Sequence, residues 1–196
     1  MSTFALTGHW ASGKSAVLGL LRKKGAVIFD ADKSVHAYYR DQSSTVYKRI
    51  VAAFPGVSGR KGISRKKLGA AVFSDFEKLT QLERIVHPVV IRDLKHWVRD
   101  AQSRQAIHIA EVPLLFEKGL GRYFDAVIVV SAKEKIIRRR LRAKTGLSDL
   151  LMTRRLSLYM PMAKKIRMAD FVLDNNSGLR ALQRKVNVLW EQLRQY

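Results

Sequence analysis

The stretch "GHWASGKS", Gly8 to Ser15, constrains this chain more than any other. Its spacing, Gly-x4-Gly-Lys-Ser, is that of a Walker A loop. Such a loop needs a strand before it and a helix after it, so that backbone N–H groups and the helix N-terminus face phosphate oxygens. The sequence supplies both. "TFALT" (Thr3 to Thr7) is a short apolar run, and "KSAVLGLLRKKG" carries Ala16, Val17, Leu20 and Leu21 on one side before Gly25 stops it. Lys14 then reaches the outer phosphates, and the Ser15 hydroxyl is placed for Mg²⁺.

Further strands and helices alternate along the chain. "AVIF" (Ala26 to Phe29), "AIHIA" (Ala106 to Ala110), "AVIVVS" (Ala126 to Ser131) and "FVLD" (Phe171 to Asp174) read as buried strands. Helices are expected over 132–144, 150–168 and 179–195. A mostly helical stretch runs from Lys33 to about Arg104, interrupted at Phe54 to Ser64 and at Pro88. Strands that are apolar on both faces and separated by helices imply a parallel sheet covered on both sides. Ligands in such sheets bind outside the carboxyl ends of the strands, which gathers Gly8 to Ser15, Asp30 to Asp32 and Glu111 to Glu117.

A chain of 196 residues is long enough for one well-buried core, and 47% apolar with 27% charged residues is the balance of a soluble globular protein. No apolar run approaches the roughly 18 residues that span a bilayer. The start "MSTFALTG" lacks a basic leader, so a cytoplasmic protein is the expectation. The absence of cysteine excludes disulfides, thiolate metal sites and thiol catalysis. The net charge is +21, and residues 133–167 hold 12 Lys/Arg against 2 Asp/Glu. Most of these cations coat solvated helix faces. A field of that size also attracts nucleic acid, anionic membrane or small phosphorylated substrates.

Four further groups carry candidate chemistry. "DAD" sets Asp30 and Asp32 two apart at a strand end, where an extended backbone points both carboxylates the same way, toward an acceptor hydroxyl or a metal-bound water. Asp32 is equally placed to cap the following helix. "AEVPLLFEKGL" is a hairpin-like apolar segment bracketed by Glu111 and Glu117, suited to packing on the core and to walling an organic ligand. In "RRRLR" (Arg138 to Arg142) successive residues point different ways, so one or two of them can clamp a transferring phosphoryl group. His87, before Pro88, reads as a structural hydrogen-bonder, and the five histidines show no metal-ligand spacing.

The Walker A loop, "DADKSVH", "GISRKKLGAAVF", "LERIVHPVV", "AEVPLLFEKGL", "FDAVIVVSA", "RRRLRAKTGLS" and "ADFVLDNN", in this order, resemble the dephospho-coenzyme A kinase family from about Leu6 to Asn175. That resemblance implies an α/β P-loop kinase three-layer fold with a five-stranded parallel sheet. It implies one domain over 1–196, with the core at about 1–32, 105–137 and 169–196, a helical acceptor-binding insertion at about 33–104 and a lid at about 138–168. The implied reaction moves the γ-phosphate of ATP, with Mg²⁺, to the ribose 3′-hydroxyl of dephospho-coenzyme A. By position, Gly8, Ala11, Ser12, Gly13, Lys14, Ser15 and Ala16 hold the nucleotide, and Ser15 the metal. Asp32 is the implied base and Arg140 the lid arginine meeting the phosphates. Asp30, His87, Pro113, Leu114, Leu115 and Glu117 bind the acceptor or shape its pocket. A monomer is expected.

Several positions depart from that family's pattern. Glycines are usual at His9 and Ala11, a smaller aliphatic residue at Trp10, an arginine at Lys144 and a glutamine at Tyr159. Loss of glycine at position 11 is expected to strain a backbone that prefers positive φ. Lys144 replaces a planar fork with a point charge. Trp10 is expected to pack against the lid or the acceptor region. The "ASGK" loop also resembles that of uridine kinases and phosphoribulokinases, which leaves a nucleoside or sugar-phosphate acceptor as an alternative. A catalytically reduced protein binding RNA or anionic membrane through its basic surface is a third reading.

Overall fold

The computed structural model describes residues 2–72, 75–101, 106–145, 148–157 and 159–196, apart from the side chains of residues 32, 76, 151, 154 and 155. The expected end of the helical stretch near Arg104 lies outside the described residues. In chain order, β1 (Thr3–Thr7) leads through the glycine loop to α1 (Lys14–Lys23), β2 (Val27–Phe29), α2 (Ala31–Arg40) and α3 (Thr45–Ala53). A hairpin of β3 (Ser58–Gly59) and β4 (Gly62–Ile63) precedes α4 (Arg65–Val72) and α5 (Phe76–Ala101). Then come β5 (His108–Glu111), β6 (Ala126–Ser131), α6 (Glu134–Thr145), α7 (Asp149–Leu156), α8 (Met162–Arg167), β7 (Phe171–Asp174) and α9 (Leu179–Gln195).

Strands β2, β5, β1, β6 and β7 lie side by side in that order in one parallel sheet, flanked by helices. Thr3 pairs with His108 on one side of β1, and Phe4 with Ala126 on the other. β1 and β6 are buried along their whole length, which explains their unbroken apolar reading, whereas Val27 and Val172 on the edge strands are exposed. Strand starts are pinned by carboxylates. Asp125 accepts from Thr3 N at 2.6 Å, and Asp170 from Val127 N at 2.7 Å.

The chain divides into two compact units, Met1–Phe29 with Val98–Tyr196, and Asp30–Trp97. The first is cored by Phe4, Leu6, Leu21, Ile109, Ile128 and Val186 among others. The buried side of α1 is Val17, Leu18 and Leu21, with Lys14. Ala16, expected on that side, is exposed, because Leu18 takes the core-facing position. The second unit has its own cluster, which includes Val46, Ile50, Phe54, Ile63, Leu68 and Ile85. There Asp93 on α5 accepts from the Tyr38 hydroxyl at 2.9 Å and from Ser34 Oγ, fastening α2 to α5.

Two prolines behave differently from expectation. α5 runs through Pro88 unbroken, since a proline removes one helical hydrogen bond while Ile85 and Leu94 bury apolar surface on either side. The single helix expected over 150–168 is instead α7 and α8, separated by an extended Pro161 with φ −50° and ψ 136°.

Candidate active site

The loop after β1 takes the backbone its residues permit. Gly8 and Gly13 have φ of 147° and 104°, and there is no room for a side chain at either. A Cβ on Gly8 would sit 2.3 Å from the Val130 carbonyl, and one on Gly13 would sit 2.0 Å from Asn175 Nδ2. Ala11 stands at φ 58°, the left-handed region expected from the glycine pattern, at a cost of roughly 1–2 kcal/mol for a residue with a Cβ. The loop closes on itself through Ser12 N to His9 O at 3.1 Å. Ser12 is fully buried, and the N–H groups of Lys14 and Ser15 open α1 with no intrahelical acceptor. Ser15 and Ala16 are exposed beside them.

Lys14 is folded back into this loop. Its Nζ donates to the Gly8 and His9 carbonyls, both at 3.1 Å, and lies 3.8 Å from Glu111 Oε1 at the end of β5. Burial pushes the ammonium below its ordinary pKa, the Glu111 carboxylate opposes that, and the Lys165 charge adds to it. A desolvated cation held on weak carbonyl acceptors beside free helix amides is poised for an anion.

Arg140, on α6, grips the loop from outside. Its guanidinium donates to Ser12 O at 3.2 Å, Ala11 O at 3.4 Å and Asn175 O at 3.0 Å, while Asn175 Nδ2 donates to Ser12 O at 2.8 Å. Trp10 and Ala11 pack on the cluster of Ala132, Ile137, Leu141 and Met152, which places the indole against α6 and α7.

The segment after β5 is a series of turns rather than a hairpin, because its residues bond elsewhere. The exposed Pro113 offers its carbonyl to Thr7 Oγ1 and to Lys165 Nζ, each at 3.2 Å. Leu114 is half-buried and Leu115 fully buried, so Leu115 anchors the segment to the core. Glu117 Oε1 accepts from Lys165 Nζ at 2.9 Å and from Met160 N at 2.7 Å. Burial alone would raise the Glu117 carboxyl, but the Met160 N–H and the Lys165 ammonium outweigh it and hold it below the usual carboxylate range.

Asp30, Asp32 and His87 belong to the second unit. "DAD" is not one extended segment: Asp30 is extended and caps α2, accepting from Lys33 N at 3.1 Å, while Asp32 is already helical. The cap expected of Asp32 therefore falls to Asp30, since α2 begins one residue earlier, at Ala31. The side chain of Asp32 lies outside the described residues. His87 is half-buried on α5.

Three residues of the first unit escaped sequence reading. Glu111 was legible only as a bracket of its segment, and its pairing with Lys14 depends on β5 lying beside β1. Asn175 carries a faint signal as the first residue after a buried strand. Lys165 carries none, because a fully buried lysine inside "MAKKIR" looks like its solvated neighbours.

No group of three or more His, Asp or Glu suited to a metal occurs among the described residues. The donor available at the loop is the Ser15 hydroxyl. That sparse set fits Mg²⁺, which takes few protein ligands and fills its shell with phosphate oxygens and water.

The family model for dephospho-CoA kinase matches residues 2–181. Dephospho-CoA kinase from Novosphingobium aromaticivorans is 39% identical over 190 residues, covering 97% of this chain and 94% of that protein. The Aquifex aeolicus enzyme of the same name is 35% identical over 195 residues and 98% of each chain. Among solved structures, a Thermus thermophilus protein aligns with TM-score 0.71 at 32% identity, over 98% of this chain and 97% of that one. Shikimate kinase from Acinetobacter baumannii shares the fold, with TM-score 0.56 at 16% identity over 98% and 94%.

Proposed function

The chain belongs to the dephospho-CoA kinase family, and from that premise we propose how its residues divide the work of phosphorylating dephospho-CoA with ATP in coenzyme A biosynthesis. The observation that carries the reading is Lys14, desolvated and resting on the Gly8 and His9 carbonyls of a loop whose glycines admit no Cβ. On nucleotide binding the lysine leaves those carbonyls for the β- and γ-phosphates, while the amides of residues 13–15, which no backbone acceptor takes among the described residues, donate to the remaining phosphate oxygens. The Ser15 hydroxyl would hold Mg²⁺, which would supply neutralisation of phosphate charge when bound.

The acceptor is the ribose 3′-hydroxyl. The Pγ–O3′ bond forms as the bond from Pγ to the β–γ bridging oxygen breaks, and ADP leaves with that electron pair. Asp32 accepts the hydroxyl proton. Through a loose transition state its role is orientation and late proton removal, and the larger contribution comes from Lys14 and Arg140. Arg140 meets the phosphates with the donors its bonds to the loop leave free. Asp30, His87, Pro113, Leu114 and Glu117 orient or wall the acceptor, and Leu115 supports that wall from the core. The region of about 33–104 is the acceptor-binding insertion, and that of about 138–168 is the lid. No described helix is long and apolar enough to cross a membrane. From the family alone we propose a cytoplasmic monomer.

A coupled assay of ADP release with dephospho-CoA, run on the chain and on Asp32→Ala, tests this. We expect turnover in the first and a loss of about 10²-fold or more in kcat in the second. A folded, ATP-binding chain with no turnover overturns the reaction, and equal rates overturn the base.

A further inference from the structure

The backbone of one residue, Met160, is held at both its N–H and its carbonyl at the edge of the phosphate loop. The Met160 N–H donates to Glu117 Oε1 at 2.7 Å, and the Met160 carbonyl lies 2.9 Å from His9 Nε2. A carbonyl only accepts, so His9 is the donor through an Nε2–H. Burial holds the half-buried imidazole below its ordinary pKa, and the Lys165 and Lys14 charges act in the same direction, so the ring is neutral near pH 7. The His9 ring also lies against the Tyr159 ring, with centroids 5.6 Å apart and planes at 43°. His9 and Tyr159 are thus two departures from the family pattern that meet each other. The backbone of His9 is engaged at the same time, because its carbonyl is one of the two on which Lys14 rests, at 3.1 Å.

We propose that His9 is a positioning residue which links the phosphate loop to the connection between α7 and α8, so that the nucleotide loop is preset by its clasp on Met160. The inference rests on the reading of Gly8 to Ser15 as the ATP loop. Two separated segments meet at the Met160 backbone, the loop through His9 and the turns after β5 through Glu117, and Glu117 is tied in turn to Lys165 on α8 at 2.9 Å. A residue whose carbonyl holds the resting Lys14 and whose side chain holds Met160 transmits the position of one to the other. With a glycine at position 9, neither the Nε2–H donor nor the ring contact exists, and the loop is free of the 159–160 connection.

The test uses three single variants of the full chain. His9→Phe keeps a ring for Tyr159 and removes the donor; His9→Gln restores a donor at the reach of Nε2; His9→Gly removes both. ATP affinity by calorimetry is read beside steady-state kinetics with dephospho-CoA and a thermal melt. We expect His9→Phe and His9→Gly to raise the Kd and KM for ATP about fivefold, the scale of one neutral hydrogen bond, with kcat within about twofold. His9→Gln should return both to within about twofold of the parent. Unchanged ATP affinity in His9→Phe overturns the clasp, as does equal loss in His9→Phe and His9→Gln. A lowered Tm with ATP constants unchanged also overturns it, since that marks packing alone. Failure of the parent to phosphorylate dephospho-CoA strikes the proposed reaction instead, and the calorimetric comparison still decides the clasp.

Discussion

Replacing Glu117 by glutamine isolates the buried cation beneath the site. Lys165 is fully buried, and its ammonium has Glu117 Oε1 at 2.9 Å and the Pro113 carbonyl at 3.2 Å, with the Tyr159 ring 5.5 Å away. Glu117 is the sole negative charge among these. Its other oxygen, Oε2, is buried and has no hydrogen-bond partner, so the glutamine Nε2 must either take that place as an orphan donor or turn toward Lys165. Removing one partner of a buried pair costs about 3–5 kcal/mol, and the retained amide oxygen favours the lower end. For a chain of this size each kcal/mol is about 2–4 °C, so Glu117→Gln should lower Tm by about 6–12 °C at pH 7. Calorimetry of the single variants and of Glu117→Gln with Lys165→Met closes the cycle, and the double variant should recover more than half of the loss. The penalty also depends on acidity. The Glu117 carboxyl sits below its usual 4.5, so its contribution is complete above that value and fades as the pH falls through the depressed one. The gap between parent and variant should narrow over that range. A loss below about 1 kcal/mol at pH 7, or a gap that ignores pH, refutes the placement of an uncompensated charge at Lys165.

Three other outcomes follow from separate features. Ala11→Gly relieves a left-handed alanine at φ 58° and should raise the urea midpoint by the equivalent of about 1 kcal/mol, where a lowered midpoint would contradict the strain. Lys14→Met should reduce kcat/KM by about 10³-fold or more while Tm moves little, because the lost ammonium was desolvated and its carboxylate lies 3.8 Å away. Asp93→Ala leaves the Tyr38 hydroxyl and Ser34 without their acceptor and should cost about 1–3 kcal/mol in equilibrium unfolding, with far-UV helicity retained.

What was legible in the sequence was local. β1, β6, β7 and α9 end at the residues read from the apolar runs; β1 and β6 are wholly buried and α9 buries one stripe of Leu182, Val186, Leu189 and Leu193, whereas β7 buries only Leu173. The phosphate loop was legible because eight consecutive residues hold its frame. The prolines show where local reading stops: Pro88 is overridden by apolar burial on both sides, whereas Pro161 follows Met160, whose N–H and C=O are both engaged outside any helix. Arg140 was found by its place in a pattern. Its grip on the Ala11 and Ser12 carbonyls depends on α6 lying outside the loop, which no spacing encodes. The pairing of Glu117 with Lys165 is hidden for the same reason.

The order of strands in the sheet also dictates a schedule for synthesis. β1 is made first, yet its neighbours are β5 and β6, so Thr3 has no partner until His108 exists and Phe4 none on its other side until Ala126 exists. On the ribosome the phosphate loop therefore emerges attached to an unpaired strand with an apolar centre, Phe4 to Leu6. Asp30–Trp97 is contiguous and owns its apolar cluster, and it can collapse during that wait. The nascent chain is most exposed to aggregation between these two events, and a chaperone that shields residues 3–7 acts where the finished protein is most deeply buried.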